Sequence, residues 1–355
     1  MLARLDPLAK QGVMTRSLLL VILAAMSAGC VDKTDADYRA EVVASMHDSI
    51  GADLAELVRA ARHLQAVSPS RAWDTSPSAP DVMAMRDAWK RTRSAYEHIE
   101  GAIVALFPGT DSTMDARYDE LLARLAPEGD SDPFDHKGVT GMHAIERILY
   151  APTIRAEVTA SERALAGYQP ATYPATDDDA IEFKTLLVQR LIDDASGIVQ
   201  RWQPGVIDVG AAYRGLVGLM NEQQEKISLA ARRDEESRYA NVTLLDLRNN
   251  VEGTQRVYGL FRDWIRSKPG GTSSDAVVMG KLDELAKVYA DADSESLPVA
   301  PTDWSDAHPT PENLATPFGT LWQTVHQTAD VASDGSVVAE MNRIAMMLGL
   351  PAFAP

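Results

Sequence analysis

The chain has 355 residues, of which 24% are charged and 45% hydrophobic, a composition typical of a folded protein rather than a disordered or membrane-spanning one. The formal net charge is −17 at neutral pH. Nucleic-acid binding needs clustered Lys and Arg, so this excess of carboxylates argues against nucleic-acid partners and favours cations.

The first residues have the pattern of an export signal. Arg16 precedes an apolar run over residues 18–26, which is too short to span a bilayer as a helix. The run ends in Ser-Ala-Gly-Cys, which resembles the bacterial lipoprotein signal. We therefore expect residues 1–29 to be a signal peptide, Cys30 to be the lipidated amino terminus and 30–35 to be a tether. This predicts an exported, membrane-anchored lipoprotein, periplasmic or in the outer membrane.

Most of the remaining chain has apolar residues at steps of three and four, which predicts helices and leaves no persuasive strand pattern. Besides the stretch after Pro80, the predicted helices lie near residues 36–66, 113–125, 138–150, 178–202, 208–232, 239–264, 274–292 and 311–348. We interpret the chain as an all-α protein with two helical bundles, 36–150 and 178–350, joined by a Pro-containing linker over 151–177.

Two acidic residues precede the strongest motif and could point into the first bundle. Glu97 and Glu100 are three residues apart, and Glu100 lies at the edge of the apolar face formed by Trp89 and its neighbours. Asp115 comes early in a predicted short helix. We expect Glu100 and Asp115 to face inward.

The strongest local signal is the pair His143 and Glu146. At about 100° per residue these side chains share one helix face, where a histidine and a carboxylate can bind one metal ion together. Because two ligands do not complete a site, we expect Glu100 and Asp115 to join them. Imidazole with carboxylates fits zinc, iron, manganese or calcium. A hydrogen bond on a helix surface is the alternative interpretation of the pair.

A second set of polar residues interrupts an apolar stripe. Asp246 and Asn250 occupy positions where core residues are expected in the stripe that begins at Tyr239. We predict that these three residues form a second polar cluster between the two bundles. A hydrogen-bond network that fixes helix register is the alternative.

Hydrolytic motifs are incomplete in this sequence. Zincins place a glutamate directly after the first histidine of H-E-x-x-H, and inverzincins have H-x-x-E-H, whereas Ala144 and Arg147 occupy those positions here. No G-x-S-x-G elbow and no phosphate-binding glycine loop is present. A peptidase would need its base and remaining ligands from other segments.

The segment 141–150 resembles the G-x-H-x-x-E signature of imelysin-like proteins, a family that includes the periplasmic component of some bacterial ferrous-iron uptake systems. Two further segments, 86–100 and 236–253, resemble family motifs in the same order. The iron-uptake branch more often has a serine where Ala240-Asn241 follows the tyrosine of the later motif. The resemblance extends over roughly residues 36–350.

This resemblance implies an all-helical fold of two four-helix-bundle-like halves with a metal site. His143 and Glu146 match the signature, and Glu100 and Asp115 match acidic family positions. We expect a non-enzymatic lipoprotein that binds iron or zinc, with calcium also fitting, and that acts in metal uptake with an iron permease or another uptake component. An imelysin-type metallopeptidase and a structural or adhesive surface lipoprotein are the alternatives.

Overall fold

The computed structural model describes residues 33–125, 128–232 and 234–354, so the predicted signal peptide 1–29 and the predicted lipidation site Cys30 lie outside the described residues. Every regular element within those ranges is a helix, which confirms the all-α prediction. The helices are α1 (Asp35–Val67), α2 (Pro80–Glu97), α3 (Glu100–Leu106), α4 (Pro108–Met114), α5 (Tyr118–Leu125), α6 (Gly141–Leu149), α7 (Ala156–Glu162), α8 (Asp177–Glu182), α9 (Val188–Arg201), α10 (Val209–Ala231), α11 (Thr243–Gly259), α12 (Arg262–Arg266), α13 (Gly271–Asp291), α14 (Pro311–Leu314), α15 (Pro317–Ala329) and α16 (Val337–Leu348). A π-helical segment, Phe183–Leu187, joins α8 to α9.

Residues from Thr34 onward cluster into one compact unit. Within it, α1 packs against α2 and α9, while α10 packs against α3, α11, α15 and α16. Helices α2 and α3 also contact α11, and α6 contacts α2 and α9. One hydrophobic core runs through all these helices. The predicted division of the chain into two helical bundles, 36–150 and 178–350, would lie within this one unit and stays a prediction.

Several predicted helices are interrupted, and local chemistry explains the breaks. The stretch over 239–264 becomes α11 and α12, and Asn241 just before α11 has a left-handed φ of 58° that a helix cannot contain. The stretch over 311–348 divides into three helices, because the side chains of Thr316 and Ser336 cap the amino ends of α15 and α16. The predicted linker 151–177 contains the short helix α7.

The helix after Pro80 also breaks, between Glu97 and Glu100. Near this break the backbones of α2 and α11 approach closely, since a Cβ added to Gly253 would lie 2.2 Å from the carbonyl oxygen of His98. A residue larger than glycine at position 253 would therefore push α11 away from α2. This close contact brings the polar residues of α11 next to the acidic residues of α2 and α3.

None of the helices in the described ranges combines the length and the apolar character needed to cross a membrane.

Candidate metal centre

A glycine at the start of α6 sets the position of the signature motif. Gly141 has φ of 86°, and a Cβ added to it would lie 2.6 Å from the carbonyl oxygens of Thr113 and Met114. Only glycine adopts this conformation and this approach without strain. The end of α4 therefore lies directly against the start of α6, which brings Asp115, just after α4, close to His143.

The predicted pair His143 and Glu146 is buried, with side chains 1% and 0% exposed. The Nδ1 of His143 lies 2.8 Å from Oε2 of Glu146. The other oxygen, Oε1, accepts hydrogen bonds from the backbone N–H groups of Tyr239 at 3.0 Å and Ala240 at 2.8 Å. Because an ionised carboxylate only accepts hydrogen bonds, this geometry assigns the proton of the neutral imidazole to Nδ1. In the neutral imidazole of His143, the ring nitrogen without a proton is then Nε2.

Two further carboxylates lie near His143. Its Nε2 makes no hydrogen bond and lies 3.5 Å from Oδ1 of Asp115. Asp115, His143 and Glu236 each offer a ligand atom, and these atoms lie within 4.8 Å of one another. One imidazole nitrogen and two carboxylate oxygens form a donor set that suits zinc, iron or manganese.

The buried guanidinium of Arg93 is surrounded by carboxylates. It forms ion pairs with Asp115 and Glu97, and with Glu236 at 2.7 Å, while its Nε lies 3.6 Å from Oδ1 of Asp246. Its Nε and one terminal nitrogen make no hydrogen bond of good geometry. The pKa of Arg93 is shifted down by burial and more strongly up by these carboxylates, so the side chain stays charged.

The predicted ligand Glu100 belongs to a neighbouring polar cluster. Asn250 donates to Oε2 of Glu97 at 2.5 Å and to Oε2 of Glu100 at 2.7 Å. The Nζ of Lys226 lies 3.4 Å from Glu100, 3.2 Å from the Asn250 amide oxygen and 2.8 Å from Glu236. The structure therefore places Glu100 with Asn250 and Lys226, and it is linked to the histidine cluster indirectly, through Lys226 and Glu236 and through Asn250, Glu97 and Arg93.

The three residues of the predicted second cluster have different neighbours. Asn250 lies with the acidic residues of α2 and α3, whereas Asp246 accepts a hydrogen bond from the hydroxyl of Ser237 at 2.5 Å and faces Arg93. The hydroxyl of Tyr239 donates to Glu162. The side chain of Tyr239 therefore has a hydrogen-bond partner that neither Asp246 nor Asn250 shares.

The buried site holds more negative than positive groups. Its carboxyl groups are Glu97, Glu100, Asp115, Glu146, Glu236 and Asp246, and its positively charged side chains are Arg93, Lys226 and, without a metal, His143. Burial raises the pKa of Glu97 well above its usual value, although Arg93 opposes the shift. Burial raises the pKa of Asp246 to about 7, although Arg93 opposes the shift. Burial alone would also raise the pKa of Glu236, but Lys226 and Arg93 hold it well below its usual range. Such an imbalance favours an added cation.

His143 itself is held in the protonated form when no metal is present. Burial lowers its pKa, but the interactions with Asp115 and Glu146 outweigh this effect and raise the pKa to about 9. A metal ion at Nε2 would therefore replace a proton.

An acidic cavity of about 210 Å³ opens beside the cluster. Asp115 and Glu236 form part of its wall, and the remaining lining residues are Arg117, Glu120, Glu222, Glu225, Lys226 and Leu229. Burial raises the pKa of Glu222 to about 8, against the opposing effect of Lys226. The cavity gives a cation access to the two carboxylates without opening the core.

Two residues of the site were not singled out by the sequence. Glu236 lies in the later family motif but far along the chain from the signature, so no local spacing connects it to His143. Arg93 is four residues from both Trp89 and Glu97, and this i, i+4 pattern with Glu97 was the signal that could have identified a buried ion pair. The ligand roles of His143, Glu146, Glu100 and Asp115 stay predictions.

Curated relatives match only part of their length. The iron uptake system component EfeO of Yersinia pseudotuberculosis serotype I (strain IP32953) is 28% identical over 199 residues, which is 56% of this chain and 42% of that protein. An Efem/EfeO family lipoprotein of Staphylococcus haemolyticus (strain JCSC1435) is 25% identical over 216 residues, which is 61% of this chain and 62% of that protein. This chain thus spans less than half the length of the Yersinia relative.

The fold has a close counterpart among solved structures. The crystal structure of an imelysin-like protein from Psychrobacter arcticum 273-4 matches with a TM-score of 0.58 at 11% identity, over 91% of this chain and 99% of that one. The sequence profile of the Imelysin family matches residues 50–313, which is well over half of the chain. The motifs, the helical fold and this match agree: the chain belongs to the imelysin family.

Proposed function

We propose that this protein binds a divalent metal ion, iron or zinc, as a non-enzymatic component of a metal uptake system. The observation that carries the proposal is the buried, unpartnered Nε2 of His143 beside two carboxylates, Asp115 and Glu236, that line a cavity. The acidic surplus around these residues supports a cation as the ligand.

The geometry favours a revised ligand set. Both oxygens of Glu146 are used, one by His143 and one by two backbone N–H groups, so Glu146 fits the role of a carboxylate that orients a metal-binding histidine. Glu100 lies with Lys226 and Asn250, whereas Asp115 and Glu236 are the carboxylates whose oxygens converge with a ring nitrogen of His143. We therefore propose His143, Asp115 and Glu236 as the ligands, with Glu146 as the orienting residue.

Uptake is the process that the relatives' names support, since one is called an iron uptake system component and another a lipoprotein. Together with the signal-like segment ending at Cys30, these names support an exported lipoprotein, anchored in a membrane in the periplasm or outer membrane. An iron permease or another uptake component is the proposed partner. The cargo would then be iron itself, held at the histidine cluster during transfer.

A metallopeptidase would need a carboxylate free to take a proton from a metal-bound water. Both oxygens of Glu146 already accept hydrogen bonds, one from His143 and the other from two backbone N–H groups. This observation favours binding over hydrolysis.

The test is isothermal titration calorimetry with Zn²⁺, repeated with Fe²⁺ under anaerobic conditions, on the wild type and on His143→Ala. We expect stoichiometric binding by the wild type and loss of binding by His143→Ala. The matched control is His98→Ala, because His98 is partly exposed and pairs with Glu252 outside the cluster. Equal affinity in wild type and His143→Ala would instead support a structural or adhesive protein. Cleavage of a peptide that chelation abolishes would support the metallopeptidase.

A further inference from the structure

The proposed ligands already have a cationic partner in the metal-free protein. The guanidinium of Arg93 is 1% exposed, and two of its nitrogens pair with Asp115 and Glu236. The Asp115 oxygen that Arg93 contacts is Oδ1, the same atom that lies 3.5 Å from Nε2 of His143. Arg93 thus occupies the carboxylate oxygens that a metal ion at this site would use.

Arg93 and a metal ion cannot both keep these contacts. An ion coordinated by Asp115 and Glu236 would lie within a few ångströms of the guanidinium, and like charges repel strongly where water is excluded. Arginine does not lose its proton in proteins, so deprotonation cannot relieve the repulsion. The guanidinium must therefore exchange partners when the ion binds.

Two further buried carboxylates, Glu97 and Asp246, lie next to the guanidinium of Arg93. Glu97 and Asp246 are both 0% exposed. Oε1 of Glu97 already forms an ion pair with the terminal nitrogen of Arg93 that also contacts Glu236, whereas Oδ1 of Asp246 makes no hydrogen bond. The Nε of Arg93 in turn makes no hydrogen bond. The Nε lies 3.6 Å from Oδ1 of Asp246, so a small displacement would convert this near contact into a hydrogen bond.

We infer that Arg93 competes with a metal ion for the site: it pairs with Asp115 and Glu236 in the metal-free protein, and when a divalent cation binds it gives up these two contacts, keeps its ion pair with Glu97 and moves onto Asp246. This inference rests on the proposed function. This exchange would also make the site prefer divalent to monovalent cations. A monovalent cation brings the same charge as the guanidinium that it displaces, whereas a divalent cation brings one more positive charge.

The experiment compares Zn²⁺ affinity by calorimetry in the wild type, Arg93→Gln, Arg93→Lys and Arg147→Gln. We expect Arg93→Gln to bind Zn²⁺ about tenfold more tightly than the wild type, because the competitor is gone. Arg93→Lys keeps the charge, but a single ammonium cannot pair with two carboxylates as a planar guanidinium does, so we expect tighter binding here too. Tighter binding by Arg93→Lys cannot arise from a change in net charge.

Arg147→Gln is the matched control, because Arg147 is also buried and pairs with Glu162 outside the ligand carboxylates. Its Zn²⁺ affinity should stay within about twofold of the wild type. A second readout is thermal unfolding: Zn²⁺ should raise the Tm of both Arg93 variants by more than it raises that of the wild type. If Arg93→Gln does not fold without metal, the Zn²⁺ affinity of Arg93→Lys is compared with that of the wild type instead.

Weaker Zn²⁺ binding by both Arg93 variants would overturn the inference, since Arg93 would then position the carboxylates rather than compete for them. That result would leave the proposed function intact, provided that the wild type binds Zn²⁺ and His143→Ala does not. Absence of binding in the wild type would overturn both.

Discussion

The carboxylate of Glu146 holds the imidazole of His143 by a 2.8 Å contact at Nδ1, which leaves Nε2 facing Asp115. The two residues of the signature therefore differ in what they can do. His143 has a ring nitrogen that makes no hydrogen bond and lies 3.5 Å from Asp115, whereas both oxygens of Glu146 accept hydrogen bonds.

Replacing Glu146 by glutamine should weaken metal binding without abolishing it. The amide oxygen of Gln can still accept from the backbone N–H groups, but its NH₂ group would then face Nδ1 and favour the tautomer with the proton on Nε2. We expect Zn²⁺ affinity to fall about 10–100-fold, as for other orienting partners of metal-bound histidines. Calorimetry on Glu146→Gln and His143→Ala checks this. Equal loss in both variants would make Glu146 a direct ligand.

Metal affinity should increase with pH. The ion must displace a proton from His143, whose pKa the interactions with Asp115 and Glu146 raise to about 9 despite burial. Below that pH we expect Zn²⁺ affinity to fall about tenfold for each pH unit, after correction for buffer binding. Asp115→Asn, which removes one of the two interactions, should shift this dependence to lower pH. A pH-independent affinity between pH 6 and the raised pKa would contradict a histidine ligand.

Gly141→Ala should destabilise the protein and displace α6. The left-handed φ of 86° and the two carbonyl oxygens 2.6 Å from the added Cβ both oppose any side chain. We expect a loss of about 2–3 kcal/mol in the free energy of unfolding, measured by urea denaturation, together with weaker Zn²⁺ binding. The matched control is Gly280→Ala, where a Cβ inside α13 meets nothing within 4 Å. That variant should gain about 0.5 kcal/mol.

An ion-pair cluster remote from the candidate site should give the fold an acid-sensitive contribution. Burial raises the pKa of Asp275, but Arg262 at 2.8 Å and Arg266 at 2.7 Å outweigh it and lower the pKa below its usual value. The pKa is lower in the folded protein than in the unfolded chain. The contribution is therefore present at neutral pH and is lost as the pH falls below the ordinary value near 3.8.

Asp275→Asn tests this contribution. Because both arginines are partly exposed, we expect a modest loss of about 1–2 kcal/mol at neutral pH and a smaller loss at pH 3. Urea denaturation at the two pH values measures the difference. Asp283→Asn, on the exposed face of α13, should change stability by less than about 0.5 kcal/mol at either pH. An equal loss of unfolding free energy for Asp275→Asn at both pH values would show that the ionisation of Asp275 does not contribute to stability.

The local features of this protein could be predicted because a helix repeats over a few residues. The period of 3.6 residues places His143 and Glu146 on one face regardless of the rest of the chain. The same reasoning predicted helices over most of their observed ranges. It failed at the start of the stripe over 239–264, where Asn241 in a left-handed conformation keeps the first residues out of α11 although the apolar period includes them.

The sequence by itself determined the helical class, the family and the signature pair, because each depends on residues close together in the chain. Only the tertiary structure decided how the pair is used. The backbone N–H groups that occupy Glu146 come from the turn before α11, and Glu236 reaches His143 through the packing of distant segments. Such contacts depend on how whole helices fit around a common core, and no pattern within one helix encodes that fit.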